Sequence, residues 1–136
     1  MQFALYLRED AHSRHIGDRL KSILLKHHFI ENNDKPDVVV FIGGDGTFLR
    51  AVHHYMPELD NISFVGIHSG TLGFFCDFTE DKLEELVALL IRKDVKPQQY
   101  RLLEAKLTYE TKVVFVHGVN EIRLENPFHT LIADVK

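Results

Sequence analysis

The chain has 136 residues, which is the size of one domain and is enough to bury a substantial core without disulfides. A composition of 45% hydrophobic and 26% charged residues excludes a disordered or fibrous protein. The formal net charge of −4 gives no basic surplus, so nucleic acid is not an expected partner.

The sequence predicts a cytoplasmic protein with no membrane association. Charge appears as early as Arg8 and Glu9, before the apolar core of a signal peptide would form. Apolar runs such as the one at 38–42 are far shorter than the ~18 residues of a membrane-spanning helix. The single cysteine, Cys76, has no partner for an internal disulfide, which is typical of a reducing compartment.

Strand and helix patterns alternate along the first two-thirds of the chain. The predicted elements are a strand at 2–7, a helix at 11–28, a strand at 38–42, a helix at 46–56, a strand at 62–67 and a helix at 83–91. The predicted helices at 11–28 and 83–91 carry apolar residues at helical spacing, and Thr79 is predicted to cap the second of them. The alternation predicts an α/β fold with a parallel, Rossmann-like sheet and flanking helices.

After Pro97 the hydrophobic period changes from helical spacing to alternation, which indicates antiparallel strands. The predicted strands lie at 103–109, 113–116, 120–124 and 131–135. We therefore divide the chain into an α/β domain at 1–100 and the first strands of a β-rich second domain at 101–136. The last strand runs almost to Lys136, and two interpretations are open: a C-terminal edge strand, or a cut through a larger fold.

A glycine-rich segment, Gly43-Gly44-Asp45-Gly46-Thr47, follows the buried strand and opens the next helix. Glycines allow a sharp turn and a close ligand approach, and N–H groups at a helix start bind anions, so phosphate is the expected ligand. No lysine follows, which excludes a P-loop. Leu49 stands where the dinucleotide fingerprint needs a small residue.

A carboxylate among phosphate-binding glycines repels the ligand unless it has a task of its own. For Asp45 the residues alone leave three tasks open: binding a metal, accepting a hydrogen bond from the hydroxyl that attacks a phosphoryl group, or capping the helix. Other sites are disfavoured. The histidine pairs at 27–28 and 53–54 are adjacent and diverge on a helix, so no resident metal site is expected, and a serine-hydrolase elbow is absent.

Three segments in order resemble the motifs of NAD kinases. Gly-Gly-Asp-Gly-Thr is similar to the signature of a superfamily that also includes diacylglycerol-type lipid kinases and 6-phosphofructokinases. The segment at 67–75 resembles the Gly-x-Leu-Gly-Phe segment of NAD kinases, and Asn120-Glu121 resembles their Asn-Glu pair. The resemblance implies a phosphofructokinase-like fold and the compact bacterial form of the family.

The resemblance also implies roles for the glycine-rich segment. Asp45 would act as base toward the 2′-hydroxyl of the adenosine ribose, and Gly46 would contact NAD. Gly43, Gly44 and Thr47 would shape the phosphate loop.

Five further residues gain implied roles in binding NAD. Arg50 matches a basic position that contacts the dinucleotide in some members. Phe74 would pack against the adenine, with Phe75 beside it, and Asn120 and Glu121 would bind ribose hydroxyls.

The implied reaction is phosphoryl transfer from ATP or polyphosphate to NAD, which gives NADP. A divalent cation, Mg²⁺, would accompany ATP, and the full-length protein would be a homo-oligomer, a dimer or tetramer. The family continues into a second, β-rich domain with a later glycine-rich segment. Gly118 is the last glycine here, so the resemblance covers the N-terminal half and favours a cut edge at 131–135.

Two alternatives from other functional classes are kept. A non-catalytic nucleotide-binding module is suggested by the missing half of the family pattern. A related lipid or sugar kinase would share the glycine loop, but the segments at 67–75 and 120–121 argue against it.

Overall fold

The computed structural model describes residues 1–70, 73–93 and 96–125. The chain divides into two compact units, Met1–Pro97 and Gln98–Lys136. None of the helices in these described ranges is long and apolar enough to cross a bilayer.

The first unit is built on a four-stranded sheet in the order β2-β1-β3-β4, with every neighbouring pair parallel. Its elements are β1 (Gln2–Leu7), α1 (Ala11–Lys26), β2 (Ile30–Glu31), β3 (Val38–Gly43), α2 (Asp45–His54), β4 (Ser63–His68) and α3 (Leu83–Arg92), with 3-10 helices at Met56–Asn61 and Glu80–Lys82. The predicted parallel sheet with flanking helices is confirmed.

The central strand β3 is buried along its whole length because helices cover both faces of the sheet. Val38, Val40 and Ile42 join the core formed with α1 and α3, including Leu20 and Leu86. The alternate residues of β3 lie on the opposite face, where α2 packs against the strand. An unbroken apolar strand therefore matches its position at the centre of a parallel sheet.

Element ends differ from the sequence predictions by one or two residues. The helix α1 ends at Lys26 rather than 28, since His28 adopts a left-handed backbone with φ of 61°. The helix α2 begins at Asp45 and ends at His54, and a 3-10 helix with Pro57 near its start follows it. The predicted cap of α3 by Thr79 is wrong, since Lys82 is the N-cap residue of α3. Thr79 is the N-cap residue of the preceding 3-10 helix, where its side chain makes no capping hydrogen bond.

The described part of the second unit is an antiparallel hairpin of β5 (Leu103–Thr108) and β6 (Val113–Gly118). The Tyr109 N–H donates to the Lys112 carbonyl at 2.8 Å and closes the turn. The predicted hairpin is confirmed.

The strand predicted at 120–124 is wrong, because these residues are irregular. The chain folds back directly after β6: a Cβ on Gly118 would lie 2.5 Å from the carbonyl oxygen of Glu121. The strand predicted at 131–135 lies outside the described residues.

Candidate functional site

The glycine-rich segment forms the junction between β3 and α2. Gly43 ends the strand, Gly44 is the N-cap of the helix with φ of −131°, and Asp45 is the first helical residue. A Cβ on Gly43 would lie 2.2 Å from Oγ1 of Thr47, which is itself buried. Gly43 is therefore required by the packing of Thr47 under the loop.

The outer side of this loop is open. A Cβ on Gly44 or on Gly46 would meet no atom within 4 Å. The Thr47 N–H donates to the Gly44 carbonyl at 2.8 Å, and this bond closes the first turn of α2. The N–H groups at the start of a helix lack intrahelical acceptors, so the open side offers donors to an approaching anion.

The Asp45 carboxylate is held by the backbone of a distant segment. Its Oδ2 accepts the Phe74 N–H at 3.1 Å and its Oδ1 accepts the Phe75 N–H at 3.1 Å. One donor on each oxygen fixes the plane of the carboxylate as well as its position. Both bonds join the Asp45 side chain to the neighbouring loop.

Gly73 makes this arrangement possible and was not assigned a role from sequence. A Cβ at this position would lie 2.2 Å from Oδ1 and 2.7 Å from Cγ of Asp45. The sequence did offer a signal, because Gly73 stands directly before Phe74 in the segment at 67–75. Residues 71 and 72 of that segment lie outside the described residues.

The two adjacent phenylalanines have different environments. The Phe75 ring stacks on Phe48 with centroids 4.4 Å apart and planes inclined by 26°. Phe48 in turn contacts Phe41 and Phe64, so Phe75 joins an aromatic cluster under α2. Phe74 is 96% exposed. The loop is therefore anchored by the packed Phe75 ring, while the Phe74 ring faces solvent.

Backbone bonds tie this loop to β4 and to the glycine loop. The His68 N–H donates to the Phe78 carbonyl at 3.0 Å, and the Phe78 N–H donates to the Gly66 carbonyl at 2.9 Å. At the start of the loop, the Ser69 N–H donates to the Gly43 carbonyl at 3.2 Å. The loop is thus anchored at both ends before it reaches Asp45.

A polar network at the end of β1 supports the same loop. The Arg8 Nε donates to Asp10 Oδ2 at 2.5 Å, and Arg8 Nη2 donates to the Ser69 carbonyl at 3.4 Å. Asp10 also caps α1 by accepting from the N–H and hydroxyl of Ser13, whose Oγ lies 2.7 Å from Ser69 Oγ. The Arg8 guanidinium, followed by these Ser13 bonds, holds the pKa of Asp10 far below its usual range.

Arg50 lies on α2 one turn after the glycine loop. Its Nη2 donates to Thr47 Oγ1 at 3.5 Å. Beside it is an open cleft of about 380 Å³, which is lined by Tyr6, Leu7, Arg8, Glu9 and Arg50.

Cys76 and His68 lie near this site without an apparent chemical role. Burial, followed by the charges of Asp45 and Asp77, raises the pKa of Cys76 to about 11, so the thiol is protonated at neutral pH. The Cys76 Sγ contacts the Gly43 carbonyl at 3.8 Å, and His68 Nδ1 lies 3.2 Å from the Gly70 carbonyl. The first contact joins two segments distant in sequence, and the second is local; both involve backbone carbonyls.

The predicted site residues fall in both units. The loop residues at 43–47 and the Phe74–Phe75 pair meet in the first unit through Asp45. Asn120 and Glu121 belong to the second unit, where both are exposed and Glu121 Oε1 accepts from Arg123 at 3.3 Å. Over the described ranges, no three His, Cys, Asp or Glu side chains are grouped as metal ligands.

Comparison with known proteins identifies relatives of the chain. Residues 9–95 match the family described as ATP-NAD kinase N-terminal domain. The chain is 38% identical to the NAD kinase of Lysinibacillus sphaericus over 137 aligned residues, which cover 100% of this chain and 52% of that protein. It is 39% identical to the NAD kinase of Pediococcus pentosaceus, with 99% of this chain and 51% of that protein covered. The chain therefore spans about half the length of these curated relatives.

A solved structure has the same fold. The crystal structure of yeast NADH kinase complexed with NADH matches with a TM-score of 0.74 at 14% sequence identity. The match covers 88% of this chain and 44% of the yeast chain.

Proposed function

Because this chain belongs to the ATP-NAD kinase family, we propose that it forms the N-terminal half of an enzyme that phosphorylates NAD. The phosphoryl group passes from ATP or polyphosphate to the 2′-hydroxyl of the adenosine ribose and gives NADP. The observation that carries this proposal is the Asp45 carboxylate, fixed at the first turn of α2 beside the open side of a glycine loop.

Asp45 is the proposed catalytic residue. An ionised carboxylate has about four lone-pair positions, and the two loop N–H groups use two of them. The remaining positions accept the hydrogen bond of the attacking hydroxyl and aim its oxygen at the phosphorus atom. A loose phosphoryl-transfer transition state requires little proton removal until late, so the main contribution of Asp45 is orientation.

The glycine loop and Arg50 are proposed to bind phosphate groups. Gly44 and Gly46 leave the backbone accessible, while Gly43 and Thr47 fix its shape. Arg50 brings a guanidinium, which forms paired hydrogen bonds with phosphate oxygens, to the side of the loop.

Four of the predicted site residues are proposed to bind the nucleoside part of NAD. Phe74 offers an exposed ring for the adenine. Phe75 stacks on Phe48 and thereby holds the backbone next to Phe74 in place. Asn120 and Glu121 are proposed to bind ribose hydroxyls of NAD. We assign residues 1–100 to the α/β domain and 101–136 to the start of a β-rich second domain.

A divalent cation, Mg²⁺, is proposed to arrive with ATP as part of the donor substrate. The described side chains offer no three-ligand cluster for a resident metal, so no step of the mechanism is assigned to one. We further propose a cytoplasmic location and a homo-oligomeric full-length protein, a dimer or tetramer, with neither nucleic acid nor membrane as partner.

The test of this function is Asp45→Asn in the protein encoded by the complete reading frame. The amide keeps the shape of the side chain but loses the charge and the second acceptor. We expect NADP formation to fall by about 10²–10⁴-fold in a coupled assay. The melting temperature should fall modestly, because the amide can accept only one of the two loop N–H bonds. Asp18→Asn, an exposed position on α1, is the matched control and retains activity. Turnover near the wild-type rate in Asp45→Asn would contradict the assigned role.

A nucleotide-binding module without turnover is the second candidate, because the chain spans about half of its relatives. Calorimetry with NAD on this chain, beside the NADP assay on the complete protein, separates the two. NAD binding with no NADP formed by the complete protein favours the module, whereas NADP formation favours the kinase.

A further inference from the structure

The strand order places a ligand crevice between β1 and β3. From β1 the chain crosses to β2 on one side, and then to β3 and β4 on the other, so the connections diverge between β1 and β3. In open α/β sheets, ligands bind outside the carboxyl ends of the strands at such a switch point. Here the Arg8 N–H donates to the Ile42 carbonyl at 2.9 Å, which brings the end of β1 beside the end of β3.

The cleft at this point has two arginines on its walls. It has a volume of about 380 Å³, and Arg8 and Arg50 approach it from the end of β1 and from α2. The glycine loop, whose outer side is open at Gly44 and Gly46, is part of the same junction between β3 and α2. Two guanidinium groups on the walls of one cleft suit an extended chain of phosphates better than a single anion.

Arg8 is held in place before any ligand binds. Its Nε donates to Asp10 Oδ2 and its Nη2 donates to the Ser69 carbonyl, while 42% of its side-chain surface remains exposed. A guanidinium has five N–H donors, and these contacts with described residues use two of them. An arginine that is already positioned loses little conformational entropy when it binds a further acceptor.

We propose that Arg8, together with Arg50, forms a binding subsite for a chain of phosphates in the cleft at the end of β1. Asp10 positions Arg8 through their ion pair, and the Glu9 carboxylate, on the same cleft wall, weakens anion binding by repulsion. The assignment of the subsite to substrate rests on the proposed kinase function. The triphosphate of a nucleotide donor and the diphosphate of the dinucleotide share this chemistry.

The first experiment is calorimetry of this chain with inorganic tripolyphosphate at low salt. We expect binding by the wild type that weakens by about tenfold in Arg8→Ala and in Arg50→Ala, the loss of a charge-assisted hydrogen bond. Glu9→Gln should tighten binding a few-fold, since it removes a like charge from the wall. Arg14→Ala, an exposed arginine on α1, is the matched control and should bind as the wild type does.

Two results would overturn the subsite. One is the absence of tripolyphosphate binding by folded wild type. The other is equal weakening in Arg8→Ala and Arg14→Ala, which would indicate only general charge attraction. If Arg8→Ala does not fold by circular dichroism, Arg50→Ala and Glu9→Gln test the same site with opposite expected signs, and unchanged binding in both overturns it.

Parallel titrations identify which phosphate chain the subsite takes. Weaker ATP binding with unchanged NAD binding in Arg8→Ala assigns it to the donor, and the reverse assigns it to the dinucleotide. These measurements are independent of turnover. Arginine-dependent tripolyphosphate binding without NADP formation by the complete protein would leave the subsite standing and reject the kinase proposal.

Discussion

Asp45 and Gly73 depend on each other at the scale of single atoms. The carboxylate occupies the space in which a Cβ of residue 73 would lie, 2.2 Å from Oδ1. The next two backbone N–H groups then hold that carboxylate at 3.1 Å each. A glycine with no chemistry of its own therefore determines where the proposed catalytic group is located.

Gly73→Ala tests this dependence. The added methyl group forces the carboxylate or the loop to move, and a displacement of about 1 Å in a reacting group can cost about 10²-fold in rate. We expect kcat for NADP formation in the complete protein to fall by about that factor, with a smaller change in the melting temperature. Gly70→Ala is the matched control, since its Cβ would meet its nearest neighbour, Arg8 Nη1, at 3.4 Å. Equal kcat values for the two variants would contradict the positioning role.

Sequence predicted the residues of the glycine loop but not the contacts of Asp45. The loop requires glycine for reasons of backbone geometry and packing, so the glycines themselves can be recognised in the sequence. The donors to Asp45 are backbone groups 29 and 30 residues away, and any residue except proline supplies such a donor. The choice among binding a metal, orienting a hydroxyl and capping the helix was therefore open from sequence.

At the scale of elements, the start of α1 is joined to the site by polar contacts. Asp10 accepts from the Ser13 N–H and hydroxyl while it pairs with Arg8. The buried Ser13 hydroxyl contacts Ser69 in the loop after β4 at 2.7 Å. The first turn of the helix therefore stabilises a loop that is distant in the sequence.

Asp10→Asn should remove a pH-dependent part of the stability. Arg8 and Ser13 lower the pKa of Asp10 in the folded state from the ordinary value of 3.8. A lowered folded-state pKa stabilises the fold above the unfolded-state pKa, and this contribution is lost as the pH falls. We expect the urea midpoints of the wild type and of Asp10→Asn to differ most at pH 6–7, which is about two units or more above the ordinary pKa of 3.8. The two midpoints should converge as the pH falls below 3.8 toward the lowered folded-state pKa. Asp18→Asn should show no such trend, and a difference that is constant with pH would reject the explanation.

The strands were predicted well where burial decides the structure and poorly where the chain reverses. The strand β3 is apolar at every position because both faces are covered. Residues 121–124 alternate in polarity, but the fold-back at Gly118 interrupts any strand there. The strand β2 has two residues, too few for a period to appear in the sequence.

At the scale of the whole molecule, the two units differ in how completely they are stabilised. Among the described residues, the main core of buried apolar side chains lies in Met1–Pro97. The described part of the second unit is a two-stranded sheet with exposed apolar side chains such as Leu103 and Phe115, 48% and 53% exposed. A lone two-stranded sheet is marginally stable in water.

We therefore expect a fragment of residues 1–97 to fold by itself. It should show a cooperative thermal transition by circular dichroism, whereas a peptide of residues 98–125 should show none. The whole chain is the reference for both. A fragment of residues 1–97 without a cooperative transition would show that its core does not stabilise the first unit by itself. A cooperative transition in the peptide would contradict the marginal stability expected of the hairpin.

The clamp on Asp45 also has an evolutionary consequence. The groups that hold the carboxylate are main-chain amides, so the exposed Phe74 side chain is not involved in the restraint. Substitution at this position can therefore remodel the surface presented to a ligand and leave the carboxylate where it is. Under the roles proposed for Asp45 and Phe74, this geometry separates selection for ligand preference from selection for chemistry, so the two can diverge at different rates among descendants of one ancestral sequence.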